Sequence, residues 1–211
     1  MPDAASGLVS SSLQILHQPI SILQARQVSQ QTLQYESEIV TGSTPGKHLR
    51  HVHDHFRILA ESLENHVSTP HTPQSSRDTP IELDYDLRSS RRLPSLETST
   101  STCLDEFKDV HARLSNLLTA HPTLLAHPVN LCATTPDIVE TRTTVGRELW
   151  FCALHAIHHY ALARVILEKE CGCTLDPEFG VAPSTLVHRE WKRDENRADV
   201  AVDVVRQRAR L

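Results

Sequence analysis

No run of eighteen or more apolar residues occurs in the 211-residue chain, so no membrane-spanning segment is expected. The N-terminus, Met1-Pro2-Asp3-Ala4-Ala5-Ser6-Gly7, lacks both the basic start and the apolar stretch of a secretory signal. The expected location is therefore cytoplasmic. Positive charge is scarce: Lys+Arg 21 stand against Asp+Glu 26, a formal net charge of -5, and basic residues gather only in the last twenty positions. Nucleic-acid binding needs a concentrated basic face, so no such partner is expected. The stretch from Arg189 to Arg210 mixes Arg with Asp and Glu, and residues 191–211 read as a charged C-terminal tail. Five cysteines, without framework spacing, exclude a disulfide scaffold. Cys171-Gly172-Cys173 is the only close pair, and no second pair completes a four-ligand site. It reads as two partly buried thiols at a helix end. No internal repeat is present.

Histidine is abundant. There are fourteen, four of them between His48 and His55 and three between His155 and His159.

Apolar spacing predicts four long helices, enough for one well-packed domain over residues 1–190. The first runs from Leu8 to about Tyr35 on Leu13, Leu16, Ile20, Leu23 and Val28, with Pro19 expected to kink it. After the turn at Gly42, Ser43 or Thr44 caps a second helix, with Pro45 at its first position, extending to Asn65. Its inward stripe is Leu49, Val52, Phe56, Leu59 and Leu63. Residues 66–80, rich in Ser, Thr and Pro, read as a mobile loop, and 81–98 as a long irregular connection. A third helix spans about Ser101–Ala120. Val129-Asn130-Leu131-Cys132 and Ile138-Val139-Glu140-Thr141 flank Thr134-Thr135-Pro136-Asp137 as a short β-hairpin. The fourth helix, about Thr144–Cys171, carries Leu149, Trp150, Leu154, Ile157, Ala161, Val165 and Ile166, and Gly172 ends it. Pro183-Ser184-Thr185 opens a short last helix reaching Trp191. The expected class is all-α, a four-helix bundle with residues 66–100 as its crossover.

His155 and His159 are four residues apart, on one face of the fourth helix and about 6 Å apart at the base. His158 lies about 60° off that midline. On the second helix His48, His51 and His55 share a face, and His53 points away. One imidazole from the second helix and two from the fourth make a three-nitrogen site with open coordination positions, the arrangement of a catalytic metal centre. The pattern also admits the alternative of hydrogen-bonded core histidines.

Gly46-Lys47-His48-Leu49-Arg50-His51-Val52-His53-Asp54-His55-Phe56 resembles the second helix of the DinB/YfiT-like metal-binding bundles. The stretch Gly146-Arg147-Glu148-Leu149-Trp150-Phe151-Cys152-Ala153-Leu154-His155-Ala156-Ile157-His158-His159-Tyr160-Ala161-Leu162 is similar to their last helix. Asp84-Tyr85-Asp86 with Arg88, and Phe179-Gly180-Val181-Ala182-Pro183-Ser184-Thr185, resemble one branch of these proteins. The similarity extends from about residue 8 to 190. It implies a DinB-type fold with one divalent ion on His51, His155 and His159, zinc first and nickel or iron as alternatives. It also admits a metal-dependent hydrolase or a thiol-dependent transferase, with a small-molecule substrate or thiol co-substrate, or a non-catalytic metal-stabilised protein of stress response or interaction. A homodimer is compatible with it.

Asp54, Glu148, Tyr85 and His55 are the candidates to orient ligating imidazoles or move protons. For Asp54 and Glu148 the alternative is a hydrogen-bonding role on or between helices. Arg88, Arg91 and Arg92 either receive an anionic co-substrate or pair with Asp84, Asp86 and Glu97.

Overall fold

A computed structural model describes residues 4–69, 79–86, 93–190 and 192. The expected loop at 66–80 falls for the most part on residues 70–78, outside the described ones. So do Arg88, Arg91, Arg92, Trp191 and, Lys192 apart, the charged tail. The chain divides into two compact units, Met1–Gly180 and Val181–Leu211, where the sequence suggested one bundle to 190 and a tail from 191. In the second unit, residues 183–190 are helical. No helix among the described residues is long and apolar enough to cross a membrane.

The first unit is mostly helical, with a small sheet. Helix α1 (Ala4–Gln24) carries Pro19 within it and buries Ile15, Leu16, Ile20, Ile22 and Leu23. It stops well before the expected end near Tyr35. Arg26 adopts a left-handed φ of 54°, which breaks the helical path. Ser29 then caps the separate short helix α2 (Gln30–Leu33), through a reciprocal pair of bonds with Thr32. Val28 extended the apolar spacing because it is buried from the turn itself, at 4% exposure.

Helix α3 (Pro45–Ser68) starts where its cap predicts, with the Thr44 hydroxyl accepting from the Lys47 N–H. Strand β1 (Ile81–Asp84) and helix α4 (Pro94–Thr98) replace the irregular connection expected at 81–98. Two alternate positions of β1, Ile81 and Leu83, are buried, and four residues are too few for that alternation to stand out in sequence. Helix α5 (Thr100–Ala120) is capped by Ser99. A 3-10 turn (Pro122–Ala126) leads into strands β2 (Pro128–Thr134) and β3 (Ile138–Thr144), the expected hairpin. The sheet order is β1-β2-β3, with β1 parallel to β2 and β3 antiparallel to it. Helix α6 (Val145–Val165) closes with a π-helical turn, Ile166–Glu170, and Gly172 at φ 68° ends the run.

Each long helix packs on two others: α1 on α5 and α6, and α3 on α5 and α6. The apolar core between them includes Leu16, Phe56, Leu63, Phe107, Leu114, Leu149 and Tyr160. On α6 the inward face differs from the apolar residues the sequence brought forward. It is Val145, Glu148, Leu149, Cys152, Ala153, Ala156, Tyr160 and Ala163, while Leu154 and Val165 are exposed, at 45% and 39%. Small inward side chains let α6 approach its neighbours closely, so helix packing rather than residue size sets which face is buried.

Candidate metal centre

Helices α3 and α6 run antiparallel where they meet, since His48 contacts His159 and His51 contacts His155. Helical spacing on each puts the imidazoles on the facing sides. The Nε2 atoms of His51 and His155 are 2.9 Å apart. Ring centroids are 4.6 Å apart for His51–His55, 4.5 Å for His55–His155, 4.6 Å for His155–His159 and 4.5 Å for His51–His159. His51 and His155, at 5.0 Å, form the shared pair, with His55 on one flank and His159 on the other. In the group His51, His55 and His155, one ligand nitrogen from each lies within 4.8 Å of the others. The sequence named His159 as the third ligand and His55 as a neighbour; among the described residues it is His55 whose ligand nitrogen converges with those of the pair, and His159 lies beside the pair with ring centroids 4.5 and 4.6 Å away.

A hydrogen bond to a carbonyl fixes which ring nitrogen His55 offers, and a His–His contact links His159 to His48. The Nδ1–H of His55 donates to the His51 carbonyl at 2.9 Å, which leaves its Nε2 lone pair free. His159 Nδ1 is 2.9 Å from His48 Nδ1, and His48 Nε2 is 2.7 Å from the Ser43 hydroxyl. His159 keeps Nε2 free in the tautomer where His48 accepts from it and donates to Ser43; in the reverse one its Nδ1 accepts from His48. A partner on one ring nitrogen that fixes the tautomer of the other is the usual support of a ligating histidine.

The cluster is neutral. Burial first, then repulsion from neighbouring His55, Arg50 and His48, lowers the pKa of His51 to about 4. Burial and the charges His55, His51 and His158 would carry lower His155 to about 4. Burial, then His51 and His155, take His159 to about 3. His48 and His55 are lowered as well, chiefly by burial. At neutral pH these rings hold lone pairs rather than charge, which is the state a metal requires. Two nitrogens on one tetrahedral ion at ordinary Zn–N length stand about 3.3 Å apart, so small shifts suit the His51–His155 pair to an ion. The donor set fits a borderline divalent metal.

Aromatic rings flank the cluster. Tyr85, just beyond β1, stacks on His55 at 5.0 Å and 18°, and Phe151 stacks on His155 at 5.6 Å and 17°. The Tyr85 hydroxyl is 3.3 Å from Cys152 Sγ. Burial, with Cys152 and Glu148 adding, holds the Tyr85 pKa well above its usual value, and burial pushes the Cys152 thiol up to about 12. Glu148 is buried at 3% exposure; one carboxylate oxygen accepts from the Thr143 hydroxyl at 2.9 Å, and Oε2 has no hydrogen-bond partner among the described residues. Asp54 is engaged by Arg50 at 2.7 Å, and Arg50 also pairs with Glu97. Asp86 accepts from the Thr134 N–H at 2.7 Å, and Asp84 accepts from the Asp86 N–H at 2.8 Å.

His53 points to the other side, buried at 1% exposure beside Phe107, with Glu106 3.7 Å from its Nε2. His158 is exposed. Cys171 and Cys173 are free thiols, with Cys171 raised in pKa by burial and then by Cys173 and Glu170. Sequence reasoning missed Phe151 and Cys152. Phe151 had a legible signal, since it lies four residues before His155 and so on the same face. Cys152 had none, because its partner Tyr85, just beyond β1, is 67 residues away.

A family model described as DinB superfamily matches residues 21–163. The chain is also similar to a protein named FK506-binding protein 5 from Rhizopus delemar (strain RA 99-880), with 49% identity over 47 residues. That match covers 22% of this chain and only 12% of that protein. No solved structure matches.

Proposed function

The chain belongs to the DinB superfamily, and we propose that it is a metal-binding four-helix bundle of α1, α3, α5 and α6 holding one divalent ion. His51 and His155 are the central ligands in this reading, His159 is the third, as the family pattern implies, and His55 is a further donor on the opposite flank. The observation that carries it is the convergence of four neutral imidazoles on α3 and α6 about the 2.9 Å pair His51–His155.

Zinc is the first choice of metal, with nickel and iron next. Bound with three imidazoles, the ion supplies Lewis acidity and lets water or a thiol act as a nucleophile at neutral pH. This chain's own groups do the rest. The His51 carbonyl holds the His55 ring in one tautomer, and the His48–Ser43 pair holds His159. Tyr85 and Phe151 wall the His55 and His155 side. The free Glu148 oxygen is a buried acceptor beside Tyr85. The proposed activity is metal-dependent hydrolysis or thiol transfer on a small molecule.

One observation favours a second reading. His55 makes a fourth imidazole available, and four ligands close the shell of a structural ion. Cobalt substitution separates the two. A catalytic centre changes its visible spectrum between about pH 6 and 9 and on adding a small anion or thiol. A spectrum indifferent to all three, with a large fall in melting temperature on chelation, ends the enzyme reading and leaves a metal-stabilised bundle.

A further inference from the structure

Among the described residues strand β3 is an outer strand of the sheet, paired on one side only, with β2. Proteins normally blunt such an edge with lysine, proline, a bulge or a short strand, because its unpaired backbone groups template another strand. β3 has no lysine, proline or bulge and is not short, and its two charged side chains, Glu140 and Arg142, are of opposite sign. It is seven residues long, Ile-Val-Glu-Thr-Arg-Thr-Thr, rich in β-branched side chains, and six of the seven are exposed. Its register against β2 is one-to-one from Thr144 to Ile138, with no bulge. Ile138 and Val139 are 73% and 47% exposed, among the most exposed large apolar residues described.

The charges on this strand face no opposite charge on the adjacent strand. Glu140 lies opposite Cys132, and Arg142 opposite Asn130. Among the described residues neither Glu140 nor Arg142 forms an ion pair. The two are separated by one residue, so they project on the same face of the strand. If β3 meets a second β3 antiparallel about a two-fold axis at Thr141, Glu140 lies opposite Arg142 of the other copy, twice over. Moving the axis to Glu140 or to Arg142 sets like charges against each other. Net charge along the strand is zero, so the edge as a whole carries no repulsion, and of these three registers only the one centred on Thr141 pairs opposite charges.

We propose that β3 is a homodimer interface, two copies of the chain pairing edge to edge into a continuous six-stranded sheet centred on Thr141. The symmetry is isologous, each copy giving the same patch. A seven-residue strand buries less than a standard interface, so the association is reversible and weak, in the micromolar range or above.

Sedimentation velocity of the full chain over a wide concentration range tests this. A concentration-dependent dimer is expected. Glu140→Arg sets Arg against Arg142 in both pairs and is expected to raise the dimer dissociation constant by about tenfold or more. Adding Arg142→Glu to that variant restores complementarity and the dimer. Both positions are exposed, and matching circular dichroism spectra establish that each variant folds. A monomer throughout, a dimer indifferent to Glu140→Arg, or a charge swap that fails to restore it overturns the proposal.

Discussion

Replacing Gly46 by Ala sets two large effects against each other, and the structure decides the sign. Gly46 is the second residue of α3, where helix propensity favours Ala by up to about 1 kcal/mol, mostly through the smaller backbone entropy of the unfolded chain. A Cβ at this position, however, falls 2.2 Å from the Glu97 carbonyl oxygen and 2.9 Å from its carbon, both backbone atoms. Relief requires α4 to move by about an ångström, and α4 is tied down. Leu96 is fully buried, the Thr98 carbonyl accepts from Gln34 at 3.0 Å, and Glu97 pairs with Arg50. Overpacking costs about 1–3 kcal/mol where side chains can yield, and more against backbone. The net expectation is a loss of about 2 kcal/mol, lowering the melting temperature by about 4–8 °C in a chain of this size. The internal control is Gly7→Ala on α1, where a Cβ meets nothing within 4 Å and the propensity gain stands alone. Urea unfolding of both variants, read at constant m-value, measures the difference. Should Gly46→Ala match or exceed the wild type in stability, the close approach of α3 to α4 is wrong.

Elemental analysis is expected to find one divalent ion per chain, abolished by His51→Ala and His155→Ala and retained in His53→Ala and His158→Ala; loss in His53→Ala with the fold intact would mean the wrong face of α3 was chosen. His159→Ala is expected to cost more metal affinity than His55→Ala, and titration calorimetry showing the reverse order would make His55 the third ligand. His48→Ala removes the group that fixes His159, and is expected to weaken metal binding about 10–100-fold without changing stoichiometry; an unchanged affinity would refute that support. Stability of the metal-free protein depends on pH with a definite sign. His51, His155 and His159 have folded pKa values of about 4, 4 and 3, below the unfolded value of about 6.5, so between those limits the unfolded chain binds more protons. Stability is therefore full above about pH 6.5 and falls as pH drops toward 4; a midpoint flat across that window in acid titration of urea unfolding would contradict neutral, buried imidazoles.

Local chemistry wrote several features into the sequence. Thr44 before Pro45, the 3-4 spacing from Leu49 to Leu63 and the break at Gly172 each act within one or two helical turns, where cap bonds and side-chain periodicity dominate. The histidine faces belong to the same class: 3.6 residues per turn puts His51 with His55 and His155 with His159 whatever lies elsewhere. The end of α1 was hidden because Val28 continues an apolar rhythm from a non-helical turn. Strand β1 was hidden because its pairing partner is β2, 48 residues on.

By itself the sequence determined that two helices each carry a row of imidazoles, since that follows from backbone geometry within a single helix. Tertiary structure decided what the rows meet. Only the antiparallel packing of α3 on α6 sets His51 against His155 and His48 against His159. Only the sheet brings Tyr85 onto His55 and leaves β3 with a free edge. The lowered pKa values belong to that second level as well. Burial is their largest cause, and burial is a property of assembled elements that no residue possesses alone.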